Sequence, residues 1–125
     1  MSVKSCDLSW IVVSDLEKAV RFFTEVVGLK LLTHQASYGW AELAAPDGGT
    51  QLGIALAGKE NRVKPGQNAI MTFTVSDLIK AKNEMAKKGT QMVGDVMEVP
   101  GHVKLQFFHD HDGNLFQLVE QLDRS

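Results

Sequence analysis

The sequence has one cysteine, Cys6, among 125 residues, and a lone thiol cannot close an internal disulfide. That agrees with a reducing compartment, and Cys6 reads as a small strand residue rather than a reactive thiol. No apolar run approaches the roughly 20 residues that cross a bilayer. The segment Met1-Ser2-Val3-Lys4-Ser5-Cys6-Asp7 lacks the long apolar centre of a secretory signal, so the expected location is cytoplasmic, with no membrane partner. Positive charge is not in excess: 13 Lys and Arg face 15 Asp and Glu, a net charge of −2. Nothing electrostatic draws such a chain to nucleic acid, and the lysines at 80, 82, 87 and 88 read as the wet face of a helix. No serine, cysteine or threonine sits in a nucleophile elbow and no glycine-rich phosphate loop is present, so nucleophilic and nucleotide chemistry have no candidate.

What the chain does have is one phrase written twice. Val13-Ser14-Asp15-Leu16-Glu17-Lys18-Ala19 and Val75-Ser76-Asp77-Leu78-Ile79-Lys80-Ala81 differ only at Glu17 against Ile79. Gly28 and Gly89 follow the phrase at similar distances, and Asp47-Gly48-Gly49 and Asp112-Gly113 each precede a hydrophobic run. A repeat of this size is too long for a solenoid turn and two copies are too few for an array, which leaves two paired modules in one domain. With 44% apolar residues, residues 1–125 suffice for one core and not for two ordinary domains. Module 1 is expected at about 1–58, a linker containing Pro65-Gly66 at about 58–68, and module 2 at about 69–122.

In module 1, Ser9 to Val13 reads as a buried strand, and Ser14 with Glu17 forms a capping box that opens a helix. Leu16, Ala19, Val20, Phe23 and Val27 make its apolar stripe and Gly28 supplies the left-handed stop. Strands are expected at Leu29 to His34, Gly39 to Ala44 and Gln51 to Leu56. Module 2 repeats the order: strand Ala69 to Val75, helix Asp77 to Lys88 ended by Gly89, then strands near Gln91 to Val96, Lys104 to Phe108 and Leu115 to Glu120. Each module is β-α-β-β-β, an α+β class of fold.

These residues resemble the vicinal oxygen chelate superfamily, which includes glyoxalase I, bleomycin-resistance proteins and extradiol dioxygenases. The resemblance is carried by Trp10 to Ala19 with Phe22-Phe23 and Val27-Gly28-Leu29, and by Asp110-His111-Asp112-Gly113-Asn114-Leu115-Phe116-Gln117-Leu118-Val119-Glu120, which is similar to the family's Asp-Pro-Asp-Gly-Asn ending. It implies curved sheets forming a cup, helices outside, and a divalent ion held in the cup of the metal enzymes by His, Glu or Gln. The places it implies for the ion's ligands are Leu8, Gly53, Ile70 and Gln117, of which only Gln117 carries a donor oxygen. One neutral amide does not replace several converging charged or imidazole donors, so neither a metal nor another cofactor is expected.

Alternation along the strands assigns the cup face from those places. It yields Leu8, Trp10 and Val12; Gln51, Gly53 and Ala55; Ile70, Thr72 and Thr74; and Leu115, Gln117 and Val119. On the two remaining strands, Trp40 with Glu42, and Gln106 with Phe108, are the cup candidates. Two indoles, a phenyl ring and small floors at Gly53 and Ala55, with sparse polar groups, describe a small-molecule pocket; the competing reading is that the aromatics fill the cup as core. Glu42 near indoles would pair with a cationic ligand group or act as an acid–base catalyst. His109 and His111, interleaved with Asp110 and Asp112, are the alternative metal or catalytic cluster, although a turn gives side chains no preset convergence.

The expectation is therefore a metal-independent small-molecule binding protein that sequesters an aromatic or cationic compound, as bleomycin-resistance members do, and that forms a homodimer. The alternatives are an enzyme, either a metal-assisted lyase or isomerase with a different ligand set or a catalyst centred on Glu42, and a protein-interaction module whose cup is filled.

Overall fold

The computed structural model describes residues 6–58, 64–68 and 70–122. The expected linker and the start of the strand at Ala69 thus fall partly outside the described residues, as does the segment before Cys6. The chain divides into two compact units between Asn68 and Ala69. Among the described residues no helix is long and apolar enough to cross a membrane.

The first unit runs β1 (Leu8–Val13), α1 (Leu16–Arg21), β2 (Lys30–Gln35), β3 (Trp40–Ala44) and β4 (Gln51–Leu56). The second runs β5 (Met71–Thr74), α2 (Leu78–Lys87), β6 (Gln91–Val99), β7 (Val103–His109) and β8 (Leu115–Gln121). Each is β-α-β-β-β with a four-stranded mixed sheet, ordered β1-β4-β3-β2 in one and β5-β8-β7-β6 in the other. The opening strand of each unit pairs in parallel with its last strand, and the other pairs are antiparallel.

The duplicated phrase is a helix start in both places, but its cap is the aspartate. Asp15 Oδ1 accepts from the Lys18 backbone N–H at 3.0 Å, and Asp77 Oδ1 accepts from that of Lys80 at 3.1 Å. A shared Ser-Asp pair offers either residue as cap, and a one-residue shift moves the extended backbone onto Asp15. The expected box between Ser14 and Glu17 is not the cap; the Glu17 carboxylate lies 3.1 Å from His34 Nε2 on β2 instead. Gly28 and Gly89 both take a φ of 90° after their helices, which an L side chain would resist.

Beyond Arg21, the first helix widens into one π turn over Phe22–Val26, with the Val27 N–H donating to the Phe22 carbonyl at 3.1 Å. The wider turn lets two adjacent rings face inward: Phe22 and Phe23 are both buried and meet edge to face at 5.0 Å. With Ile11, Val13, Leu16, Val20, Leu43, Leu52 and Ile54 they form the first core, on the sheet face that α1 covers. Full burial of such side chains is worth about 1.5–3 kcal/mol each. The second core is a stack of Phe73, Phe108 and Phe116, with centroids 5.6 to 6.3 Å apart, beside Leu78, Met85 and Leu118.

Candidate small-molecule site

The helix-free face of the first sheet is set by register. Trp10 on β1 and Glu42 on β3 both pair with Gly53 on β4, and Leu8 pairs with Gln51, so these side chains share one face with Trp40. The Trp40 indole Nε1 donates to Glu42 Oε2 at 2.9 Å. Its ring extends over β4: a Cβ on Gly53 would sit 2.6 Å from Trp40 Cη2 and 2.7 Å from Cζ2, closer than real contacts allow. The absent side chain at Gly53 is therefore the indole's seat rather than an empty floor, a correction to the alternation reading. Ala55 is buried rather than an open floor as well.

Trp10 stands beside this fixed indole with centroids 6.2 Å apart and planes tilted by 59°. It remains 46% exposed, and Leu8 next to it is exposed too. Gln51, Trp40 and Glu42 are half-buried. Among the described residues Glu42 has no cationic partner, and its charge is met by one indole N–H. The result is two π faces with a carboxylate between strands, a surface suited to a flat molecule and to positive charge.

On the second sheet, Thr72 pairs with Gln117, and the Thr72 hydroxyl donates to Gln117 Oε1 at 2.9 Å. Ile70, just before β5, is 50% exposed. The partner of Gln117 on β7 is Phe107, which puts Leu105, Phe107 and His109 on this helix-free face. Gln106 and Phe108 were assigned here from sequence and lie on the opposite face, 1% and 0% exposed. Phe108 belongs to the ring stack. The Gln106 amide Nε2 reaches the Val93 and Gly94 carbonyls at 3.2 and 3.1 Å. Those carbonyls lie where the β6 ladder with β7 is interrupted between Val93 and Met97. A polar residue that looked like a pocket group thus meets backbone acceptors at a bulge.

Thr33 and Gln35 on β2 join the first face opposite Glu42 and Trp40, and sequence reasoning missed them. The register shift between Leu31 and Thr33 breaks the alternation that would have located them. Leu105 and Phe107 gave no such signal, because both faces of β7 are apolar enough that alternation does not tell them apart.

The His109–Asp112 segment is turn architecture. Asp110 Oδ1 accepts from the backbone N–H groups of Asp112 at 3.0 Å and Asn114 at 2.9 Å, and Oδ2 accepts from Asn114 Nδ2 at 2.8 Å. Burial of Asp110 pushes its carboxyl above the ordinary range, outweighing these hydrogen bonds, and the negative charge of Asp112 acts in the same direction. His111 is exposed and His109 closes β7. Among the described residues no group of His, Cys, Asp and Glu side chains assembles a metal set. The donor chemistry at Leu8, Gly53, Ile70 and Gln117 does not fit a divalent ion either. Two are aliphatic, one has no side chain, and the single amide oxygen already accepts the Thr72 hydroxyl.

A family model, Glyoxalase/Bleomycin resistance protein/Dioxygenase superfamily, matches residues 5–118. The structure of a member of that superfamily from Sphaerobacter thermophilus DSM 20745 is similar at a TM-score of 0.80 and 25% identity, over 95% of this chain and 98% of that one. TnmS3, an antibiotic binding protein from Streptomyces sp. CB03234, is similar at 0.77 and 25% identity, over 97% and 98%. TioX from Micromonospora sp. ML1, at 19% identity and a TM-score of 0.74 over 95% and 100%, shares the fold. No curated protein sequence matches significantly.

Proposed function

This chain belongs to the glyoxalase/bleomycin resistance protein/dioxygenase superfamily, and from that premise we propose that it is a metal-independent small-molecule binding protein that holds an aromatic compound against Trp10 and Trp40. The observation that carries this reading is the half-exposed indole pair, with Trp40 seated on Gly53 and tied to Glu42. A side chain so constrained gives up its rotamer freedom on folding rather than on binding, which favours a ligand that stacks. The likeness to an antibiotic binding protein supports the same class of function. Metal independence is supported by the missing donors at the four inherited places. The reading includes a homodimer, since four-stranded sheets have outer strands that a two-fold partner commonly covers.

The test is titration of the metal-stripped protein with polycyclic aromatic compounds, following tryptophan emission. Saturable quenching that Trp10→Ala removes is expected. Stoichiometric nickel, zinc, manganese or iron binding that persists in the His109→Ala/His111→Ala double variant would overturn the metal-free part, and absence of quenching by any arene would overturn the ligand class.

A further inference from the structure

Glu42 is the carboxylate of the face formed by Leu8, Trp10, Trp40, Glu42, Gln51 and Gly53; Lys30, opposite Ala44 on β2, shares that face but is exposed and makes no ion pair with it. Glu42 stands mid-strand, with its cross-strand neighbour Gly53 offering no side chain. Its Oε2 accepts from an indole N–H, a neutral donor, and among the described residues no cation answers its charge. A half-buried carboxylate in that position is incompletely compensated, and its most direct compensation is a positive charge brought by the ligand. The neighbouring indoles strengthen that preference, because the π faces attract a cation too. An anion would meet both the carboxylate and the electron-rich rings.

Resting on the binding reading above, we infer that this face selects organic cations: a flat aromatic ring bearing a positive nitrogen, stacked on Trp10 and Trp40 with the charge beside Glu42. Glu42 has two tasks here. Through Oε2 it fixes the rotamer of Trp40, and through its charge it sets ligand class. The two tasks are separable, because glutamine keeps an amide oxygen able to accept from the indole while losing the charge.

The experiment compares three probes on one ring frame by calorimetry with the dimer or monomer as purified: N-methylacridinium, acridine at a pH where it is uncharged, and acridine-9-carboxylate. N-methylacridinium is expected to bind about tenfold more tightly than acridine, and the carboxylate more weakly than either. Added salt should narrow the first gap. Glu42→Gln should bring cation and neutral affinities together, chiefly by weakening the binding of N-methylacridinium. Equal wild-type affinities for the cation and the neutral ring, or a gap that Glu42→Gln leaves intact, would overturn the cation assignment while the aromatic binding reading stands. Failure of all three probes to bind would overturn both. The wild-type charge series decides the matter by itself should Glu42→Gln fold poorly.

Discussion

Trp10, Trp40, Glu42 and Gly53 in the first unit stand at the places that Thr72, Leu105, Phe107 and Gln117 hold in the second. The backbone is the same β-α-β-β-β in both, and the helix caps are the same aspartates. The faces differ because no rule of strand geometry constrains a side chain on the helix-free side. In the first unit a missing side chain at Gly53 admits an indole and leaves a carboxylate beside it. In the second, Gln117 fills that place and closes a hydrogen bond with Thr72. One face is left with incompletely compensated charge and the other has its central polar pair satisfied, so the proposed recognition by charge falls on the first.

The helix sides differ too, and there the largest effect is expected. Phe116→Ala should cost about 3–5 kcal/mol, because it opens the three-ring stack of the second unit. Trp10→Ala, on the exposed face of the first, should cost about 1 kcal/mol or less. Denaturant unfolding of the two variants side by side checks the contrast, and equal losses would mean Trp10 is core after all.

Asp110→Ala should follow at about 2–3 kcal/mol, since it leaves the buried Asn114 amide and two backbone N–H groups without their acceptor. The same residue has a pH signature. Its carboxyl titrates above the ordinary value when folded, so the folded form binds that proton more tightly than the unfolded chain does. The associated stability is present below the unfolded pKa of about 3.9 and is lost as pH rises through the folded value. Wild-type stability relative to Asp110→Asn should therefore fall with rising pH across that window and level off above it. A difference that is flat or rises with pH would show the hydrogen bonds outweighing burial.

Gly53→Ala should have an effect of about 1–2 kcal/mol, by expelling the Trp40 ring and breaking its bond to Glu42. Its clearer readout is a shifted tryptophan emission together with weakened arene binding, whereas Gln117→Ala in the second unit should leave both unchanged. Smallest is the position where the repeated phrase diverges. Glu17→Ile removes a largely exposed contact with His34 and should change stability by about 0.5 kcal/mol or less, measurable as a shift in melting temperature of at most a few degrees.

Much of this was legible in the chain. The repeated phrase with Gly28 and Gly89 brackets both helices, although it pointed to Ser14 rather than Asp15 as the first cap, and the greasy alternation of Ile11 and Val13 and of Leu52 and Ile54 places Trp10 and Gly53 on the other face. Strand β4 falls at Gln51–Leu56 as the sequence indicates. Strand β7 was not legible, because Leu105 and Phe107 are as apolar as Phe108, and period-two patterning discriminates only when the faces differ. Gln106 then pointed the wrong way, its polarity belonging to the interrupted ladder beside β6. The bulge near Leu32 hid Thr33 and Gln35 in the same manner.

The amino-acid sequence by itself determined the order and approximate spans of strands and helices, which modules repeat, and which inherited ligand places lack donors. Such features depend on residues a few positions apart or on the chemistry of single side chains. Only the tertiary structure decided that Trp40 rests on Gly53, that Glu42 accepts from its indole, and that Phe108 joins Phe73 and Phe116. Each of those contacts joins side chains through cross-strand register, and register is set by bulges and by packing between segments far apart in the chain.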